Sequence, residues 1–502
     1  MTSSIEKDVQ VDSVPNRSED EGQVEYFVDP EEEKKVVRKI DLYVMPALVI
    51  VFFFQFLDKQ TINYAAVFGM QTDLHLSGSG FSWAITLYYF GQLASQYPSA
   101  YFISRFKVVR IVGITIAAWG ACEMLIASTQ NFGGLGTVRF FLGWFEGAAS
   151  PGFVIITSNW YRRREHPARV AWWESCSGLS QIIGAVLMYL IGQANHLAIA
   201  SWRVMYLVCG GATMLIGVCF AIFMPTDTTT AWFLKPDERR IATERLALDR
   251  STRDRSSFNL EQVKEALMDP QTFLLFLEGL FICIPSAILK FSSLVISGFG
   301  FNKFQTMLVG LPAGAIQIIT IWVAALGMQY TRDLRCFWGM VLSLAPLAGS
   351  ICLLTLPASD KWGIVVATWF AACSSSLMVV SLSLAASNVK GNTKKSTVSA
   401  IFFVAYCTGC IISPQLWQAP DAPRYVKGCI SSIVSWALLI ITYAAHYLVL
   451  WRENVRRDRL QLENQLRENA EGVDIPEKEA HVGVSIDSDM TDRQDMKFRY
   501  TL

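Results

Sequence analysis

The chain has 502 residues, of which 52% are hydrophobic, 12% aromatic and only 17% charged, with Lys and Arg matching Asp and Glu at 43 each. A soluble domain carries about 25% charged residues, so the shortfall argues against a soluble globular protein and for one that crosses a membrane many times. The zero formal net charge gives no sign of a nucleic-acid partner, and the 11 cysteines, scattered mostly through apolar runs, form neither a disulfide framework nor a zinc spacing.

Residues 1–35 are polar and acidic and lack the basic start and apolar core of a secretory signal. A disordered tail is expected over 1–38. Apolar runs of the roughly 20 residues needed for a crossing fall near 42–64, 82–103, 108–128, 136–159, 171–193 and 203–224. A second set lies near 272–296, 305–327, 336–356, 362–386, 397–417 and 429–450. The expected fold is an all-α membrane protein of twelve transmembrane helices in two six-helix bundles, at 39–224 and 271–452. The bundles are separated by a central loop at 225–270 and followed by a tail at 453–502. In that loop, Pro236-Asp-Glu-Arg-Arg opens a surface helix, since a proline and two acids suit a helix N-terminus. The tail beyond Glu471 is polar and expected to be disordered.

Basic clusters follow alternate spans: Arg105, Lys107 and Arg110; Arg162, Arg163, Arg164 and Arg169; Arg332 and Arg335; Lys390, Lys394 and Lys395; Arg452, Arg456, Arg457 and Arg459. The intervening connections, such as 71–82, are poorer in Lys and Arg. This asymmetry places both termini and the central loop in the cytosol, and the alternation agrees with an even number of crossings.

Within this apolar background the fourth span holds two charges, Arg139 and Glu146. A charge at the bilayer centre costs about 2.5–3.5 kcal/mol and usually faces a bundle interior or a polar pathway. Seven residues is close to two helical turns, so both lie on one face about 10 Å apart along the axis. An acid and a base so placed suggest a route for an ion, a proton or a charged solute. Gly143 and Gly147 form GxxxG, which permits close helix approach. Cys407-Thr-Gly-Cys410 lies in an apolar helix, where small residues serve packing.

Leu57-Asp58-Lys59-Gln-Thr-Ile-Asn63-Tyr-Ala65, Tyr97-Pro98-Ser99 through Arg105, and Arg139-Phe-Phe-Leu-Gly-Trp-Phe-Glu146-Gly with Pro151-Gly152 resemble the major facilitator superfamily. So do Pro236-Asp-Glu-Arg-Arg, Asp269-Pro270-Gln-Thr-Phe, Ile296 to Phe301, and Gly409 through Gln415 with Asp421-Ala-Pro-Arg424-Tyr425. More narrowly the chain is similar to the anion:cation symporter branch and to the fungal allantoate permease group, from about Lys39 to Arg452. Two departures stand out. Lys59 replaces the arginine usual in the first-span signature, with Thr61 at the place of an asparagine, and Ser104 replaces the aspartate of the superfamily loop motif. The resemblance implies proton-coupled uptake of a small organic anion, such as a ureido acid, nicotinate or another vitamin, by a multi-pass plasma-membrane protein expected to be monomeric and without a cofactor.

Lys59 and Arg139 then become the cations to hold a carboxylate, Arg through its planar fork and Lys as a compact charge. The alternative for each is an ion pair with Asp58 or Glu146 that lowers the insertion cost. Glu146 is the first choice for a proton carrier, with Asp58 the second. Lys290, deep in the seventh span, is a candidate solute contact; Glu278 lies nearer that span's end, and Glu174 is expected at an interface. Among neutral residues Gln92, Gln317 and Gln415, with Tyr88, Gln181 and Asn388, could set specificity or simply bond between helices. The fifth span lacks the Gly-Pro pair of the drug antiporter motif, which favours symport over the alternative, an exporter of a secondary metabolite. No nucleophile–base motif, phosphate loop or metal cluster suggests an enzyme.

Overall fold

The computed structural model describes residues 30–76, 79–162, 165–194, 198–250, 259–331, 333–470 and 490–502. Arg163, Arg164 and Arg332 lie outside them, as does most of the N-terminal tail. The first half contains α1 (Pro30–Val67), α2 (Met70–Asp73), α3 (Gly80–Ala94), α4 (Gln96–Arg105), α5 (Val108–Ile126), α6 (Phe132–Glu146), α7 (Ala149–Trp160), α8 (His166–Glu174), α9 (Cys176–Gln193) and α10 (Ser201–Phe223). A central segment carries α11 (Pro236–Arg250) and α12 (Leu260–Met268). The second half contains α13 (Pro270–Cys283), α14 (Ile288–Gly298), α15 (Lys303–Val309), α16 (Leu311–Tyr330), α17 (Arg335–Thr355), α18 (Lys361–Ala371), α19 (Ser375–Asn388), α20 (Asn392–Ile412) and α21 (Val426–Ala470).

Among the described residues, eleven segments are long and apolar enough to cross a membrane. Large apolar side chains such as Leu215, Ile222, Ile319 and Ile441 point outward from them, as lipid-facing surface requires. The run expected to form the second span is instead divided into α3 and α4, each shorter than a full crossing. Proline accounts for this break and for three others. A proline has no N–H and its ring clashes with the carbonyl four residues earlier. Pro98 therefore cannot bond to Ala94, where α3 ends; Pro151 cannot bond to Gly147, where α6 gives way to α7. Pro285 similarly interrupts the seventh span between α13 and α14 with a short 3₁₀ turn, and Pro414 closes α20 with another.

Helix starts are marked by side-chain caps. Asn131 accepts from Gly134 N at 2.8 Å, Asp269 from Gln271 N at 3.2 Å ahead of Pro270, and Asn302 and Gln305 form a reciprocal capping box. Close packing follows the glycines. A Cβ on Gly143 would run into the Tyr88 carbonyl, and one on Gly178 into Gly314, so α3 meets α6, and α9 meets α16, nearly backbone to backbone.

The central segment shares one side of the molecule with the start of α1 and with residues 490–502. Lys39 on α1 bonds Glu238 on α11 at 2.6 Å, and Thr491 bonds Glu265 on α12 at 2.9 Å. α11 is more than a surface helix, because Arg245 is fully buried against Glu165 and Glu33. Burial lowers the Arg245 pKa and the Glu165 carboxylate opposes that shift. Both chain ends differ from expectation. α1 begins at Pro30, so 30–38 are helical. Residues 490–502 are packed, with Thr491 and Asp492 fully buried; 471–489 lie outside the described residues.

The two halves also touch on the opposite side. Asn63 bonds Ser292 at 3.2 Å, Ser82 bonds the Trp417 carbonyl at 3.0 Å, and Phe81 meets Phe291 edge-on at 5.3 Å.

Because Gly143 lies directly under the Tyr88 carbonyl, Gly143→Val is expected to destabilise the first half by about 1–3 kcal/mol or more. It should lower the apparent unfolding temperature of the purified protein in a thermal-shift assay, while Phe141→Val, at an outward-facing position of the same helix, should not.

Candidate functional site

The two charges of the fourth span do not pair with each other. Gln55 and Lys59, four residues apart on one face of α1, both reach Glu146 at the end of α6. Gln55 Nε2 donates to Glu146 Oε1 at 3.0 Å and Lys59 Nζ to the same oxygen at 2.8 Å. The Glu146 side chain is completely buried, and its Oε2 has no partner among the described residues. Lys59 also lies 5.5 Å from the centre of the Phe56 ring.

Arg139 turns elsewhere. It donates to the Tyr206 hydroxyl at 2.8 Å, and its guanidinium lies 5.8 Å from that ring. Its residue exposure is 3%, its Nε has no partner, and among the described residues no carboxylate lies within ion-pair distance of it. It is thus a buried cation held by a neutral group, whose fixed planar fork remains suited to a carboxylate.

Asp58 faces the opposite way from Lys59. Its Oδ2 accepts from Trp119 Nε1 at 2.9 Å and from Thr213 Oγ1 at 3.0 Å, which joins α1 to α5 and α10. Oδ1 is left without a partner. One turn beyond Trp119 on α5 lies Glu123, 1% exposed, with neither carboxylate oxygen bonded to a donor. Glu123 is within electrostatic reach of Asp58, Arg139 and Glu146. No motif in the sequence singles it out. Its signal was available: an acid in the apolar run Gly120-Ala-Cys-Glu123-Met-Leu-Ile, four residues from a tryptophan whose indole needed an acceptor.

From the second half, Lys290 on α14 reaches across to the Tyr89 ring on α3 at 5.1 Å. It is 8% exposed, has no ion-pair partner among the described residues, and lies within electrostatic reach of Lys59 and Arg139. Gln92 is buried with its side-chain oxygen unpartnered, as is the Tyr88 hydroxyl. Lys59, Glu146, Arg139, Asp58, Glu123 and Lys290 therefore form one buried charge cluster.

The remaining candidates are committed to other bonds. Gln317 bonds Gln181 and Ser375, and Ser177 at 3.2 Å, tying α16 to α9 and α19. Gln415 donates to Thr86 at 2.9 Å and helps hold the halves together. Asn388 is at the end of α19 and bonds Thr501. Glu278 pairs with His446 at 2.7 Å inside the second half, both fully buried. Glu174, expected at an interface, is half-buried and within electrostatic reach of Lys59.

Residues 48–414 match the family model described as the Major Facilitator Superfamily. An uncharacterized transporter of Schizosaccharomyces pombe is 36% identical over 93% of the chain and 86% of its own length. The allantoate permease of Saccharomyces cerevisiae is 30% identical over 98% of the chain and 90% of its own length. Among solved structures, a proton:xylose symporter bound to 6-bromo-6-deoxy-D-glucose aligns with a TM-score of 0.63, covering 84% of this chain and 96% of that one. At 12% identity that likeness speaks for the fold alone.

Removing one partner of a buried ion pair strands the other charge, at a cost of about 3–5 kcal/mol. Lys59→Met alone is therefore expected to destabilise the protein strongly, and Lys59→Met with Glu146→Gln much less. A double-mutant comparison of apparent unfolding temperatures checks this. Additive losses would show that the two side chains do not interact.

Proposed function

We propose a transport cycle on one premise: the chain belongs to the Major Facilitator Superfamily. It is a multi-pass integral membrane transporter and not an enzyme. In our reading it takes up a small organic anion together with protons, crosses the plasma membrane twelve times, and keeps both ends in the cytosol. The second of these crossings, additional to the eleven apolar segments, is made by α3 and α4 together, broken at Pro98. The orientation is supported by Arg105, Lys107, Arg110, Arg162, Arg169, Arg335 and Lys390, all on the side of the central segment. With that side cytosolic, the Asn63, Ser82 and Phe81 contacts close the molecule towards the outside.

The observation that carries the anion reading is Arg139, a buried guanidinium without a carboxylate ion-pair partner among the described residues, accompanied by Lys290, which also has none among them. Two unpaired cations in a low-dielectric interior are unfavourable unless an anion joins them. A solute carboxylate taking the Arg139 fork, with Lys290 reaching from the other half, relieves that cost and draws the halves together. Gln92 and Tyr88, with open polar atoms nearby, are the neutral contacts. The S. cerevisiae relative named as an allantoate permease supports a ureido acid as the first solute to try.

Proton coupling follows from the same charges. Lys59 is held by Glu146. A proton on Glu146 weakens that pair and frees Lys59 for the anion. Asp58 Oδ1 and Glu123 offer only acceptors to one another, and a shared proton supplies the missing donor. Binding of anion and proton are therefore mutually favourable, and reciprocal by linkage.

The test is expression in a fungal host lacking its own related permeases, with growth scored on single nitrogen sources and vitamin precursors at varied external pH. Uptake should rise as external pH falls and collapse with an uncoupler. Arg139→Lys, which keeps the charge but loses the fork, should cost at least tenfold in apparent affinity. Glu146→Gln should bind solute yet fail to concentrate it. Uptake indifferent to pH and uncoupler would remove the symport reading, and solute expelled from loaded cells would favour an exporter.

A further inference from the structure

Far from the charge cluster, the second half builds a cradle for an extended peptide, and residues 490–502 occupy it. Asn454 on α21 and Asn388 on α19 bracket two successive residues of the segment. Tyr500 N donates to Asn454 Oδ1, and Asn454 Nδ2 donates back to the Tyr500 carbonyl, both at 2.9 Å. Thr501 N donates to Asn388 Oδ1 at 2.7 Å, and Asn388 Nδ2 to the Thr501 carbonyl at 2.9 Å. An asparagine side chain carries one acceptor and one donor group in the same relation as a peptide unit. Two such side chains on different helices therefore recognise main chain much as a neighbouring strand does. Arg457, 1% exposed, adds bonds to the carbonyls of Asp492 at 2.9 Å, Asp495 at 3.2 Å and Phe498 at 2.8 Å.

Charge selects the segment that fits. Lys394, at the start of α20, is fully buried and holds Glu265 at 2.9 Å, Asp269 at 2.7 Å and Asp492 at 2.8 Å. Arg493 approaches Asp269 at 3.3 Å. The segment thus brings a buried anion to Lys394 and an exposed cation to Asp269, so docking leaves the net charge of the cluster unchanged. Tyr500 closes the arrangement, its hydroxyl donating to Asp492 Oδ2 at 2.7 Å and accepting from Arg457 at 3.0 Å. At the edge Lys390 pairs with Asp495 at 2.5 Å, and Arg335 N meets the Leu502 carbonyl at 2.5 Å. Partial burial opposes it, but the Lys390 hydrogen bond holds the Asp495 carboxyl below its ordinary range.

The helices so tied are α12, the start of α13, the start of α17, the end of α19, the start of α20 and the extension of α21. All of these ends lie on the side of the central segment, where the halves are not joined by the Asn63, Ser82 and Phe81 contacts. We propose that residues 490–502 are a strap docked in cis on this peptide cradle, and that its release alters how the second half moves against the first on that side.

The test uses the full chain in lipid nanodiscs. Amide exchange across 491–501 should be at least tenfold slower than in the free synthetic peptide of the same sequence. Arg457→Ala, and separately Asp492→Asn, should bring it at least tenfold closer to the peptide rate, since each removes charge-assisted bonds of the kind that change an equilibrium by about that factor. Spin labels at Phe106→Cys and Tyr330→Cys, with the exposed Cys219 and Cys352 replaced by serine, then report the separation of the halves. Release should shift or broaden that distance distribution. Free-peptide exchange rates in the unmodified protein would overturn the docking. Variants that release the strap yet leave the distances unchanged would overturn its control of the movement.

Discussion

Lys59 and Glu146 set the terms for the rest of the interior. Their 2.8 Å contact joins α1 to α6 in a region of low dielectric, where an unpaired charge is costly and a paired one still needs its remaining polar atoms satisfied. By taking Glu146, Lys59 leaves Arg139 with a tyrosine in place of a carboxylate. By pointing away from Lys59, Asp58 is left to Trp119 and Thr213, and to Glu123 as its acidic neighbour. Three cations and three acids thus share one interior with a single close ion pair among them. An interior arranged that way is poised for an anion and for protons in a manner that a set of closed salt bridges would not be.

Several helices around these groups are broken close to them, and the breaks come from backbone chemistry. Pro98 and Pro151 remove hydrogen bonds to Ala94 and Gly147, so α3/α4 and α6/α7 change direction close to the level of Gln92 and Glu146. Glycines at 91, 143 and 147 let those same helices come together at the bend. Polar side chains and loosened backbone therefore occur at one depth. The second half repeats the device at Pro285, just before Lys290, which is how a lysine in the middle of an apolar span comes to face Tyr89 and not lipid.

Much of this was legible in the sequence. Low charge content and apolar runs gave the helices and their approximate bounds, and the intramembrane charges Asp58, Lys59, Arg139, Glu146 and Lys290 stood out because each is expensive in lipid. Glu123 was equally visible as an acid in an apolar run and was overlooked because no motif framed it. Gln317, Gln415 and Asn388 looked like solute contacts for the same reason that they are good interhelical bonds: a buried amide needs partners, and sequence does not say whose. The segment 490–502 reads as polar tail by composition, since its order comes from Asn388, Lys394, Asn454 and Arg457, distant in sequence.

The sequence by itself determined that the chain is helical, lives in a membrane, belongs among the major facilitators and buries acids and bases together. The family follows from its short motifs; the other conclusions follow from local properties: hydropathy over about twenty residues, helical period, and the cost of a charge in hydrocarbon. Only the tertiary structure decided who pairs with whom. Seven residues along one helix placed Arg139 and Glu146 on a common face, yet the neighbours packed against that face, Tyr206 from α10 and Lys59 from α1, took the two charges separately. Pairing depends on which helices meet and at what depth, and that is set by the summed packing of the bundle, which no local stretch of sequence contains.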